Sequence, residues 1–153
     1  MIFSKLVDFF RNRNRGYASP WLQLTVLCAI ARDGIEPTQS FALRGKVLAA
    51  TPIQFEFKDS NTYLVFFRGS EEGMQNANGL AESLRAYAQE NAIPAFGVGV
   101  VQGECLAQMG PAGRLAGKPA GKVIADAMRL ATDDANANAA RQTHAAAQPH
   151  ANA

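Results

Sequence analysis

Ile53-Gln54-Phe55-Glu56-Phe57-Lys58-Asp59-Ser60-Asn61-Thr62-Tyr63-Leu64-Val65-Phe66-Phe67-Arg68 is the stretch that decides the fold. Ile53, Phe55 and Phe57 alternate with Gln54, Glu56 and Lys58, the period-two pattern of a half-buried strand. Asp59-Ser60-Asn61 has the composition of a tight turn, because Asp and Asn side chains bond their own backbone there. Thr62–Arg68 then returns as the partner strand of a hairpin.

Working outward, Pro52 ends a helix that Thr38 or Ser40 is expected to cap and that runs to about Ala50. Phe41, Leu43, Val47 and Leu48 are its apolar positions. Before it, Arg32-Asp33-Gly34 marks a turn, and Trp21–Ala31 (WLQLTVLCAIA) reads as a buried strand, rich in aliphatic residues and short for a helix. After the hairpin, Ser70 caps a helix whose first turn holds Glu71 and Glu72, placing acid at the positive end of the helix dipole. Met74, Ala77, Leu80, Ala81, Leu84 and Ala88 form its buried stripe. Pro94 opens a strand over Ala95–Gln102, and Pro119 opens a closing helix with Val123, Ile124, Ala127 and Ala131 on one side. The order β-α-β-β-α-β predicts an α+β, ferredoxin-like antiparallel sheet of four or five strands with two main helices on one face.

The 153 residues fit one domain, and a hydrophobic share of 48% suffices for a core without metal or disulfide staples. Cys28 and Cys105 form no CxxC, which argues against a disulfide framework or a structural zinc site and suits a reducing cytoplasm. Both histidines, His144 and His150, lie near the C-terminus in a low-complexity stretch, so hydrolytic triads and His-rich metal sites are not expected in the folded part. A net charge of +2 does not suggest a nucleic-acid binder. No apolar run reaches the roughly 20 residues of a membrane span, and the order of charges in residues 1–16 is the reverse of a signal peptide's. Residues 1–16 instead read as an amphipathic basic helix for docking or dimerisation, with peripheral membrane contact through residues 1–15 as the lesser reading. Residues 17–132 are the expected globular domain. Residues 133–153 have no large apolar side chain to offset the entropy of ordering and are expected to be disordered.

Phe96-Gly97-Val98-Gly99-Val100-Val101-Gln102-Gly103-Glu104 places three glycines on one side of a strand. Glycine weakens strands, so another backbone or side chain must approach closely there. This stretch resembles the glycine-alternating strand of class III adenylyl and guanylyl cyclases. The resemblance continues through the segment bounded by Gly103 and Gly110, the Gly113-Arg114 turn and the helix Gly121-Lys122-Val123-Ile124-Ala125-Asp126-Ala127-Met128-Arg129-Leu130. Upstream, Phe57-Lys58-Asp59-Ser60 with Tyr63–Phe67 resembles the family's metal-binding hairpin, and Leu24–Ile30 resembles its first metal strand.

That resemblance implies a two-metal site held by two aspartates, with an asparagine and an arginine on the last helix. Here Ile30 stands where the first aspartate would be, Asp59 where the second would be, Ala125 in place of the asparagine, Arg129 as the arginine and Phe55 at the base-reading position. One acid of two cannot assemble a two-metal site. The expectation is therefore a degenerate cyclase homolog without catalytic residues, bound metal or cofactor, acting as a regulatory or protein-interaction module. The resemblance also implies pairing, as a homodimer or as a heterodimer with a related domain, through sheet faces free of helix.

A nucleotide-binding sensor is the alternative, with Lys58, Asp59, Lys122 and Arg129 as the nucleotide or phosphate contacts. A chain active only as a heterodimer, a small structural or membrane-peripheral protein, and a degenerate diguanylate cyclase-like domain are further alternatives, although the GG[DE]EF hairpin of the last is absent. Each candidate residue also has a plainer reading. Asp59 serves the turn, Arg129 lies on a solvated helix face, and Cys28 and Cys105 pack as small apolar residues, whereas Lys118 and Lys122, near the start of the last helix, are a functional candidate for meeting an anion with its backbone N–H groups.

Overall fold

The computed structural model describes residues 21–147. The expected basic helix over 1–16 and the last six residues lie outside the described part. In chain order the elements are β1 (Trp21–Ala31), α1 (Pro37–Ala49), β2 (Gln54–Asp59), β3 (Thr62–Arg68), α2 (Glu71–Glu90), β4 (Phe96–Leu106), a short 3-10 turn (Pro111–Gly113) and α3 (Lys122–Ala147). The sheet order is β2-β3-β1-β4, with every neighbouring pair antiparallel. This is the α+β, ferredoxin-like arrangement expected from the sequence.

α1 and α2 cover one face of the sheet. Leu27, Ala29, Tyr63, Val65, Phe67, Phe96 and Val98 meet Leu43 and Val47 of α1 and Leu80, Ala81 and Leu84 of α2 in one buried cluster. Ser70 caps α2 by accepting the Gly73 N–H at 3.1 Å. The cap of α1 differs from expectation. Glu36 is the N-cap, Pro37 opens the helix, and Gln39 Oε1 accepts the Glu36 N–H at 3.3 Å. Ser40 lies inside the helix, where its hydroxyl bonds the Tyr63 hydroxyl at 2.7 Å. Phe41 and Leu48, expected in the core, are 77% and 54% exposed, because α1 presents only Leu43 and Val47 to the sheet.

α3 covers the other face, so that face is not the helix-free surface the resemblance implied. Leu24, Val26, Cys28, Leu64 and Phe66 form a second cluster with Val123, Ala127 and Ala131, joined by Leu115 from the segment after β4. The glycines of β4 explain how α3 lies there. A Cβ on Gly97 would sit 2.1 Å from Ala131 O and 2.2 Å from Ala135 N, and one on Gly99 would sit 2.6 Å from Ala127 O. Ala127, Ala131 and Ala135, spaced one turn apart, therefore bring the helix backbone directly against the strand.

The tail expectation is corrected. Residues 133–147 are helical and continue α3, with Ala135 fully buried. A seam lined by glycine accepts alanine as its complementary side chain, so the helix needs no large apolar residue to dock. The closing helix also begins at Lys122 rather than Pro119, and β4 runs four residues beyond the expected Gln102, to Leu106.

Candidate functional site

The even-numbered residues of β2 point to the α3 face and carry the hairpin's polar groups across it. Gln54 Nε2 donates to Gly117 O at 2.9 Å, Glu56 pairs with Lys118 at 3.2 Å, and Lys58 Nζ lies 3.8 Å from Met128 Sδ of α3. Ile30 of β1 is half-buried against the same cluster as Met128 and fully buried Cys28. Burial pushes the Cys28 thiol from 9.0 up to about 12, with Lys58 drawing it down and Asp59 pushing it up. Both charges thus act on this part of β1.

Asp59 follows its plainer reading. It is exposed, follows an irregularity in the β2–β3 register, and its Oδ1 accepts the Asn61 N–H at 2.7 Å, closing the hairpin turn. Phe55 lies on the opposite face, against the α1–α2 core and 5.4 Å from Phe57. On α3 the buried positions are Val123, Ala127, Ala131 and Ala135, which turns Lys122, Ala125 and Arg129 toward solvent. Arg129 is 68% exposed and lies 3.5 Å from Asp126, one turn back. The fold therefore brings Ile30, Cys28, Lys58, Asp59 and Met128 into one neighbourhood, while Lys122 and Arg129 sit two turns apart on the outer face of α3. No group of three or more His, Cys, Asp or Glu converges among the described residues. No described helix is long and apolar enough to cross a membrane.

Sequence reasoning missed a second polar group. Asp134, Asn138 and Gln142 are spaced four residues apart on α3, and all three bond the backbone at the start of β4. Asp134 Oδ2 accepts the Val98 N–H at 2.9 Å, Gln142 Oε1 accepts the Ala95 N–H at 3.2 Å, and Asn138 donates to Phe96 O. Arg85 of α2 donates to Val98 O at 3.0 Å and lies 3.6 Å from Asp134. These side chains satisfy an edge strand that would otherwise present unpaired groups. The four-residue polar spacing was the available signal.

The fold is a split βαβ sheet with a third helix laid on its second face, and solved structures share it. A guanylyl cyclase, Cya2, matches with a TM-score of 0.50 and 13% identity over 74% of this chain and 71% of its own. Two structures of a bacterial light-regulated adenylyl cyclase match at TM-scores of 0.43 and 0.45, each with 10% identity, and this chain spans about half their length. No family model and no curated protein sequence matches the chain. At these identities the likeness is one of fold, and at that level it bears out the resemblance to class III nucleotidyl cyclases.

Proposed function

We propose that this chain is a nucleotidyl-cyclase-like module that has lost turnover and acts as a regulatory or protein-interaction domain, paired with its own copy or with a related domain. The observation that carries this reading is the pair Ile30 and Asp59. Where the resemblance puts the first metal aspartate stands the aliphatic Ile30, half-buried in the cluster that holds Cys28, and the carboxylate of Asp59 is engaged in its own turn. Two-metal chemistry needs both carboxylates to hold ions that activate the attacking hydroxyl and neutralise the triphosphate. Ala125 supports the same reading, since a methyl group cannot hydrogen-bond a ribose.

The test is incubation of the full chain with ATP or GTP and excess manganese, with cyclic nucleotide measured in the same tubes that report binding heat. The expected result is no cyclic product. Product formation by the chain alone would overturn the proposal. Micromolar binding without product would keep the loss of turnover and move the role toward the nucleotide sensor, with Lys58, Lys122 and Arg129 as the residues to substitute first.

A further inference from the structure

The α2 side of the sheet is not covered to its end. Gln102 of β4 donates to Ser70 O at 3.1 Å, which sets the entrance of α2 over that strand, and Arg85 further along the helix reaches Val98 O. In the other direction two more residue pairs of β1 and β4 lie on the same side, Gln23 with Glu104 and Trp21 with Leu106. All four are exposed, Trp21 by 52% and Leu106 by 46%. The sheet thus ends in an apolar cross-strand pair that no described helix covers. Charge separates this patch from the other apolar one. On α1, exposed Phe41 and Leu48 share their helix with Arg44 and Lys46 and with no acid. Next to the Trp21–Leu106 pair stands Glu104, and the entrance of α2 adds Glu71 and Glu72. None of these three carboxylates is in an ion pair among the described residues.

The sequence that leads into Trp21 has the complementary character. Ile2, Phe3, Leu6, Val7 and Phe10 recur at helical spacing, and Lys5, Arg11, Arg13 and Arg15 stand against Asp8 alone. Gly16 and Pro20 then separate this stretch from β1 and suit a reversal of the chain. We infer that residues 2–15 of the same chain pack on the open end of the sheet as an amphipathic helix. Their apolar face covers Trp21 and Leu106, and their arginines lie toward Glu104 and the entrance of α2. A stable interface between separate chains takes roughly 20–30 residues a side, whereas this patch offers a handful, so a tethered occupant suits it. The basic α1 stripe does not match a basic segment. The contact is independent of turnover and of pairing. A chain that made cyclic nucleotide would overturn the function proposed above and leave this inference standing.

Trp21 is the only tryptophan in the chain, so its fluorescence reads this contact directly. The experiment measures the emission maximum and acrylamide quenching of the full chain beside two full-length variants, the double substitution Leu6→Asp with Phe10→Asp, and Glu104→Lys on the sheet. The expected result is a blue-shifted, poorly quenched indole in the parent, with a signal that does not change with chain concentration. The double variant should shift the emission to the red and raise the quenching constant at least roughly twofold, as the indole passes from covered to half-exposed. Glu104→Lys, an exposed position, should shift it the same way by less and provides the second variant should the first fold poorly. Unchanged emission in both variants would overturn the inference. So would a blue shift that appears only as chain concentration rises, which would assign the patch to another copy's segment, or only on adding phosphatidylserine vesicles, which would assign the segment to a membrane surface.

Discussion

The two faces of the sheet meet their helices in different ways. Under α1 and α2 large Leu, Val, Phe and Tyr side chains, with alanines among them, fill the space between helix and sheet. Under α3 the close contact is a seam of Gly97 and Gly99 against Ala127, Ala131 and Ala135, where backbone meets backbone. Close packing stabilises both faces, yet the positions sensitive to substitution are inverted. Under α1 and α2 the helix–sheet contact is vulnerable to removing volume, and at the β4–α3 seam it is vulnerable to adding volume.

The largest expected effect follows from the seam. Gly97→Val puts new carbon within 2.2 Å of two α3 backbone atoms, and neither strand nor helix can yield without losing the docking. The expected outcome is loss of a cooperative thermal transition, or destabilisation above about 4 kcal/mol in a urea titration. On the first face, Leu84→Ala should cost about 2–4 kcal/mol, because Leu84 is fully buried and its loss leaves a cavity. Asp134→Ala should cost about 1–3 kcal/mol by leaving the Val98 N–H without its acceptor and Arg85 without its ion pair. Arg129→Ala, on the solvated side of α3, should stay within about 0.5 kcal/mol of the parent by the same titration.

Legibility in the sequence divides along the same line. The first face was readable because large apolar residues recur at strand and helix periods, as in Phe55 and Phe57 or Leu80 and Leu84. The glycine alternation of β4 correctly announced a close approach, but its partner was not visible. Ala135 was unreadable as a core residue because hydrophobicity rules weigh side-chain size, and only the glycines opposite make a methyl group sufficient. The exposure of Phe41 and Leu48 was hidden for the converse reason, since α1 meets the sheet through a narrower stripe than its composition suggests.

The candidate site was legible by position rather than by geometry. The sequence placed Asp59 at a turn and Ile30 on a strand, and both placements hold. It could not show that Lys58 reaches Met128, or that Arg129 faces away from the hairpin residues, because those facts depend on how α3 crosses the sheet. Asp134, Asn138, Gln142 and Arg85 escaped because a helix stripe of polar residues ordinarily faces water.

Cys28 offers a pH-dependent check on the second face. Its folded thiol is pushed up to about 12 from 9.0, so below pH 9 the thiol is protonated in both states and its contribution to stability is complete. As pH rises from 9 toward 12 the unfolded chain ionises first, and stability falls. Cys28→Ala should therefore flatten the alkaline limb of a stability–pH curve. At pH 8 both Cys28 and Cys105 should resist a thiolate-selective reagent until the chain is unfolded, because both are buried.

The most direct test of the two-face account is residue-resolved amide hydrogen exchange along α3. The account predicts that the amides of Ala131, Ala135 and Asn138 exchange nearly as slowly as those of Leu80 and Leu84 in α2, since both helices are docked on the sheet. Slow exchange ending near Ala131, with fast exchange from Thr132 onward, would mean that the helix stops there and that the glycine–alanine seam does not form a second core.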